Sequence, residues 1–223
     1  MMKFLQEYGG EILELSADHM LLTGVAMLIA CTVAVPLGIV LTRLRSRRLA
    51  SAILGVVNIV QPIPSLALVA LAAVLFLSLG LPTIGILPGL LALVAYALLP
   101  ILRNTYTGIR QVDPTVVEVA VGMGMTRRQV LVSVELPLAL PVIMAGIRIA
   151  TVWTIGVATL VSLIGAESLG KPIFRGLSRG RIELILAGAL PAVAMALLFD
   201  WLLGRVEKWF TPTGLEASRT RVA

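Results

Sequence analysis

MLLTGVAMLIACTVAVPLGIVLT, residues 20–42, runs without a single charged side chain. A helix gains about 1.5 Å per residue, so this stretch reaches across the roughly 30 Å hydrocarbon layer of a bilayer. Pro36 is its one interruption, and transmembrane helices tolerate proline. Four more apolar stretches follow at about 52–79, 84–103, 138–165 and 182–204, giving five expected spans. Barrel strands need only about ten residues of alternating polarity, a pattern absent from these runs. The expected fold is therefore an all-α membrane protein.

Composition agrees. Hydrophobic residues make up 58% of the 223, and charged residues 13%, with a mean hydropathy of +1.00. A soluble domain is about half apolar at most. The net charge of +6 would suit a nucleic-acid partner. Its arginines, however, sit in short clusters between apolar runs, as membrane topology demands. Cys31 is the single cysteine, inside the first span, and reads as a small hydrophobe.

Residues 1–19 carry one cation, Lys3, before the first span, unlike a signal peptide. Phe4, Tyr8, Ile12 and Leu15 share one helical stripe, and Glu7, Glu11, Glu14 and Asp18 the opposite one. This predicts a separate amphipathic helix on the membrane surface, followed by a membrane domain over 20–210 and a polar tail, 211–223. Lysine and arginine counts predict the N-terminus outside and the C-terminus in the cytoplasm. The inner side then holds Arg43, Arg45, Arg47, Arg48, Arg103, Arg110, Arg127, Arg128, Arg205, Lys208, Arg219 and Arg221. The outer side holds Lys3, Lys171, Arg175, Arg179 and Arg181, so the outer segment 166–181 is unusually basic.

The longest cytoplasmic segment, 104–137, has a helix grammar of its own. Asp113 followed by Pro114 is an N-cap with proline at the first helical position, opening a helix to about Val121. Gly122 and Gly124 supply a turn. Thr126 and Gln129 form a capping box that starts a second helix, which Pro137 should stop. Arg127 and Arg128 oppose the macrodipole at that helix start. They read as a topology signal, or as contacts for anionic lipid or an acidic partner.

Glu118-Val119-Ala120, three residues, Gly124, nine residues, then Val134-Glu135-Leu136-Pro137 resembles the EAA loop of ABC-importer permeases. That pattern is E-A-A, three residues, G, nine residues, I-x-L-P; Val119 and Val134 are mild departures. The resemblance implies a type I ABC-importer permease fold. Its cytoplasmic coupling helix would dock on a separate ATPase through Glu118, Val119, Ala120, Gly124, Leu136 and Pro137. Glu118 would be the polar anchor, and Gly124 would allow close backbone approach. It further implies a partner set of two ATPase copies, a second permease subunit and an external solute-binding protein. ATP and magnesium would be bound by the ATPase, with no cofactor in this chain.

Similarity extends to Gln61-Pro62-Ile63-Pro64-Ser65, to 96–105, to Gly122-Met123-Gly124-Met125-Thr126, to 135–141 and to 165–170. These resemble permeases for osmoprotectants: glycine betaine, carnitine and choline. Pro62 and Glu167 depart from the usual Thr and small residue. The chain ends at Ala223, so the binding protein is expected to be a separate polypeptide.

Within the membrane, Gln61, Pro62 and Pro64 break the second span and are candidates for lining the solute path, or mark a structural kink. Arg148 lines that path, pairs with an acid such as Asp200, or snorkels to the interface. Trp153 is a candidate for cation–π contact with a quaternary amine, or packs. His19 reads as interfacial. A Gly165-x-x-x-x-Gly170-Lys171 run resembles a phosphate loop, but Pro172 stands where Ser or Thr is needed. No span pairs the residues of an intramembrane enzyme. The alternatives are the same machinery carrying another small polar solute, an amino acid or another betaine-like compound, and an ion-coupled secondary transporter.

Overall fold

The computed structural model describes residues 2–59 and 62–210, with side chains from Tyr8 onward except Arg47. Among them every regular element is helical: α1 (Met2–Arg43), α2 (Arg47–Asn58), α3 (Ser65–Ser78), α4 (Ile86–Arg110), α5 (Pro114–Gly122), α6 (Arg127–Val130), α7 (Leu136–Ala158), α8 (Gly170–Arg179) and α9 (Ile182–Phe210). A π-helical turn, Leu131–Glu135, joins α6 to α7, and a 3₁₀ turn, Leu160–Ile164, follows α7.

Small residues bring the helices together, because lipid tails give apolar side chains no reason to leave them and close backbone contact must drive association. Along α1, Leu22, Ala26, Ala30 and Ala34 recur every four residues and are all buried. Gly38 continues the row. A Cβ there would lie 2.7 Å from that of Thr105. Leu22 and Ala26 pack with Ala92 and Leu93, and Ala30, Ala34 and Leu41 with Ala97, Ile101 and Leu102. Residue numbers climb together, so α1 and α4 run parallel. On α7 the order reverses: Ala158 meets Leu93, Ala150 meets Ile101, and Ile143 and Ala139 meet Ile109. Thus α7 is antiparallel to both. A Cβ on Gly146 would lie 2.7 Å from the Pro100 carbonyl oxygen, so α4 and α7 touch backbone to backbone.

Four helical stretches are long and apolar enough to cross a membrane: Tyr8–Arg43, Ile86–Arg110, Arg127–Ala158 and Ile182–Phe210. The expected second span is instead two half-helices. Ile53, Leu54 and Val57 of α2 pack at the level of Leu98 and Tyr106, whereas Val69 and Ala72 of α3 pack at the level of Ala92 and Leu93. Parallel α1 and α4 need a return crossing between them, and α2 with α3 provide it. Pro62 and Pro64 lie at the join, and the Tyr96 hydroxyl donates to the Ile63 carbonyl at 3.2 Å. Gln61 lies outside the described residues, as does the tail 211–223.

Three expectations are corrected. Residues 1–19 form no separate surface helix: α1 is continuous from Met2 to Arg43, about 63 Å at the α-helical rise. No proline or cap interrupts it before Pro36, and its apolar stripe has a protein partner, since Leu15 packs with Leu169 and Ala192. Glu11, placed on the polar stripe, pairs with Arg175 of α8 at 2.9 Å. Second, α4 continues to Arg110, so the hairpin begins later than 104. Third, Pro137 does not stop the second hairpin helix. The π-turn takes up the missing N–H and ring bulk of Pro137, and the helix runs on from Arg127 to Ala158.

His19, at the expected outer end of the first span, is fully buried against protein. Leu169 N–H donates to Nδ1 at 3.3 Å, which puts the ring proton on Nε2, 3.1 Å from the Ile155 carbonyl. The side chain thereby ties α1, α7 and the entry to α8.

Candidate functional site

The hairpin α5–α6 stands at one end of the bundle, opposite His19. Asp113 caps α5 by accepting from Thr115 N–H at 2.8 Å, with Pro114 at the first helical position. The helix ends in a Schellman motif: Met125 N–H donates to Ala120 O at 3.2 Å and Gly124 N–H to Val121 O at 2.9 Å. Gly124 holds φ +85°. A Cβ there would meet no atom of this chain within 4 Å, so within this chain the left-handed backbone is what calls for glycine. Gly122 is simply helical. Thr126 and Gln129 complete the capping box, Gln129 accepting from Thr126 N–H at 2.8 Å.

Of the expected coupling residues, Ala120 is buried and Glu118 and Val119 are exposed; Val116, Val121 and Met123 join Val119 in an exposed apolar surface, with Met123 79% accessible. Leu136 packs with Ile109, Ala139 and Ile143 at the root, and Pro137 sits in the first turn of α7. The hairpin therefore has a presented tip and an anchored base. The anchor includes a pair that sequence reading missed. Glu135, 5% exposed in the π-turn, receives both terminal nitrogens of Arg43 from the end of α1, Nη1 donating to Oε1 at 3.0 Å. Such two-pronged geometry is the stronger form of ion pair.

A second constellation lies within the spans. Arg148 donates from Nε and Nη2 to the two Asp200 oxygens at 2.9 and 3.0 Å, and from Nη1 to Glu207 at 3.0 Å. Of the three alternatives for Arg148, pairing is what the structure contains. A cavity of about 320 Å³ opens beside it, lined by Ala145, Arg148, Ile149, Val152, Trp153 and Asp200. Pro62 and Pro64 do not line it; their break lies beside α4.

The model of the family "Binding-protein-dependent transport system inner membrane component" matches residues 34–212. The chain belongs to this family. It is a transport permease subunit of the inner membrane. Among curated relatives, it is 45% identical to the glycine betaine/carnitine/choline transport system permease protein OpuCB of Bacillus subtilis (strain 168), over 98% of this chain and 97% of that protein. It is 46% identical to the choline transport system permease protein OpuBB of the same organism, over 96% and 95%. Identity to the carnitine transport permease protein OpuCB of Listeria monocytogenes is 44%, over 97% and 95%. In fold, the permease is similar to a chain of the MetNI methionine ABC transporter in an inward-facing conformation. The TM-score is 0.77 at 22% identity, covering 90% of this chain and 96% of that one. The type I importer permease fold is thus the right frame for the two sites.

The structure brings Arg148, Trp153 and Asp200 of the permease to one cavity and gathers Glu118 to Pro137 in one hairpin. Glu207 escaped sequence reading, although Asp200 and Glu207 sit seven residues apart on one face of α9, a spacing that could have exposed it. Gly124→Ala should cost about 1–2 kcal/mol for the left-handed backbone. Thermal melting of the purified permease complex should show this as a modest drop, with a larger loss of uptake because the hairpin tip shifts.

Proposed function

We propose that this permease carries quaternary-amine osmoprotectants (glycine betaine, carnitine or choline) through the inner membrane. It would act with a second permease subunit, two ATPases that bind ATP and magnesium, and an external solute-binding protein. The observation that carries the substrate class is 44–46% identity, over nearly the whole chain, to three permeases named for those solutes. The hairpin end faces the cytoplasm in this reading, with the N-terminus outside. Arg43, Arg45, Arg110, Arg127 and Arg128 gather at that end. The basic segment 166–181 runs against the positive-inside count in this reading; its cations Lys171, Arg175 and Arg181 pair with Glu167, Glu11 and Glu183.

ATP binding draws the ATPases together, the hairpins follow, and the spans rock between outward- and inward-open states. Glu118 and the apolar tip of α5 grip the ATPase, while Leu136, Pro137 and the Arg43–Glu135 pair hold the base of the lever. The test is uptake of labelled choline, glycine betaine and carnitine by the reconstituted complex, driven by ATP at a fixed ion gradient. Uptake of an amino acid with none of these three, or uptake that continues without ATP, would overturn the reading. Glu118→Ala should leave insertion intact and reduce ATP-driven uptake severalfold; equal uptake at equal expression would remove Glu118 from the coupling surface.

A further inference from the structure

One face of α9 is exposed along most of its length. Leu184, Gly188 and Ala192 are buried, Ala192 against Leu15 and Leu169. Asp200 and Glu207 turn toward Arg148 of α7. At about 100° of rotation per residue, Leu190, Val193, Leu197, Trp201, Arg205 and Lys208 fall together on a third face. All six are exposed. The helix also carries its own depth scale. Arg181 precedes it, and no charged residue stands between Glu183 and Asp200. Counted from Ile182 at about 1.5 Å per residue, a hydrocarbon layer of roughly 30 Å ends near Leu202. Trp201 sits at that edge, and Arg205 and Lys208 reach the headgroup layer just beyond it. Tryptophan and basic residues are the side chains that membranes favour at this level.

We infer that this end of α9 binds the headgroup of an anionic phospholipid, with Arg205 and Lys208 on its phosphate and Leu190, Val193 and Leu197 along its chains. The Arg205 guanidinium lies over the Trp201 ring, 4.7 Å from the ring centroid. The ring takes one face of the planar group and leaves its edge, where the N–H donors are, open to acceptors. A phosphate accepts two such donors side by side, and Lys208, one turn on, adds a point charge. Neither cation makes an ion pair among the described residues. Arg43 and Arg148, by contrast, are already matched by Glu135 and by Asp200 with Glu207. Glu207, between the two cations in sequence, is turned to Arg148 instead. Cations in the last turns also suit the helix macrodipole, but that effect calls for neither a ring beneath Arg205 nor a shared face. A zwitterionic headgroup would bring its own cation to the same place, so a net negative one fits better.

This inference needs α9 to cross the bilayer and stands apart from the solute class. The test releases the purified permease complex from nanodiscs of equal phosphatidylglycerol and phosphatidylcholine, and native mass spectrometry reads the lipids it keeps. Phosphatidylglycerol should be retained over phosphatidylcholine. Arg205→Gln and Lys208→Gln should each weaken that preference about fivefold, and the double variant roughly thirtyfold. Trp201→Leu should weaken it about two- to fivefold, because the guanidinium loses its ring. Arg45→Gln with Arg48→Gln removes the same charge from two exposed arginines beside the start of α2 and should leave the preference intact. A second readout keeps Trp201 as the sole tryptophan through Trp153→Phe and Trp209→Phe. Phospholipid brominated near the headgroup end of its chains should quench its fluorescence strongly. Absence of quenching means that protein, such as a second permease subunit, covers the stripe, and overturns the site. No preference in the wild type, or an equal loss in the Arg45 and Arg48 variant, overturns it as well.

Discussion

Arg148→Met should leave little folded permease in the membrane. Removing the guanidinium takes away the donor that both Asp200 oxygens and Glu207 share between α7 and α9. Breaking a buried ion pair by removing one partner costs about 3–5 kcal/mol, and the partial exposure of Arg148 and Asp200, 33% and 39%, puts this cluster at the lower end of that range. Total stabilities are only about 5–15 kcal/mol. The expected readout is a steep loss of monodisperse protein after detergent extraction and a large drop in melting temperature. The triple variant Arg148→Met, Asp200→Asn, Glu207→Gln should recover most of the yield, because replacing all members of an ionic cluster avoids the stranded charge. Equal yields for the single and triple variants would mean that the cluster is not what joins α7 to α9.

Glu135→Gln should separate ATP hydrolysis from uptake. The side chain is buried in the π-turn, and its loss frees the end of α1 from the base of the hairpin. Arg43 is half exposed, so the stability cost should be about 1–3 kcal/mol, below the ~3–5 kcal/mol of a fully buried pair. The functional cost should exceed this. Uptake per ATP hydrolysed should fall about tenfold, since a shift of a few tenths of an ångström at a lever base grows toward its tip. The exchange Arg43→Glu with Glu135→Arg should restore part of that ratio, which a merely local packing role would not do. A normal ratio in Glu135→Gln would exclude the pair from coupling.

Much of this architecture was legible in the chain. Apolar runs marked the spans, and Asp113-Pro114 and Thr126/Gln129 marked both helix starts of the hairpin, because caps are local chemistry. Pairings across the bundle were harder to read. Asp200 was a visible partner for Arg148, but Glu135 looked like a spacer in its motif, since only the fold puts Arg43 beside it, 92 residues away. The amphipathic stripe at Tyr8–Leu15 was real, yet a stripe cannot say whether lipid or protein covers it. Pro137 read as a stop because the π-turn that absorbs it has no sequence signature as plain as a cap.

That π-turn has a mechanical consequence. From Arg127 to Ala158 the backbone is one rod of about 48 Å, with a single wide coil near the hairpin end and a rigid shaft beyond it, where Gly146 presses on α4. A twist delivered at Arg127 should be spent partly in unwinding that coil, and the remainder should arrive at Arg148 and Trp153 as rotation of the shaft. Hairpin and ion cluster are then two stations on one axle.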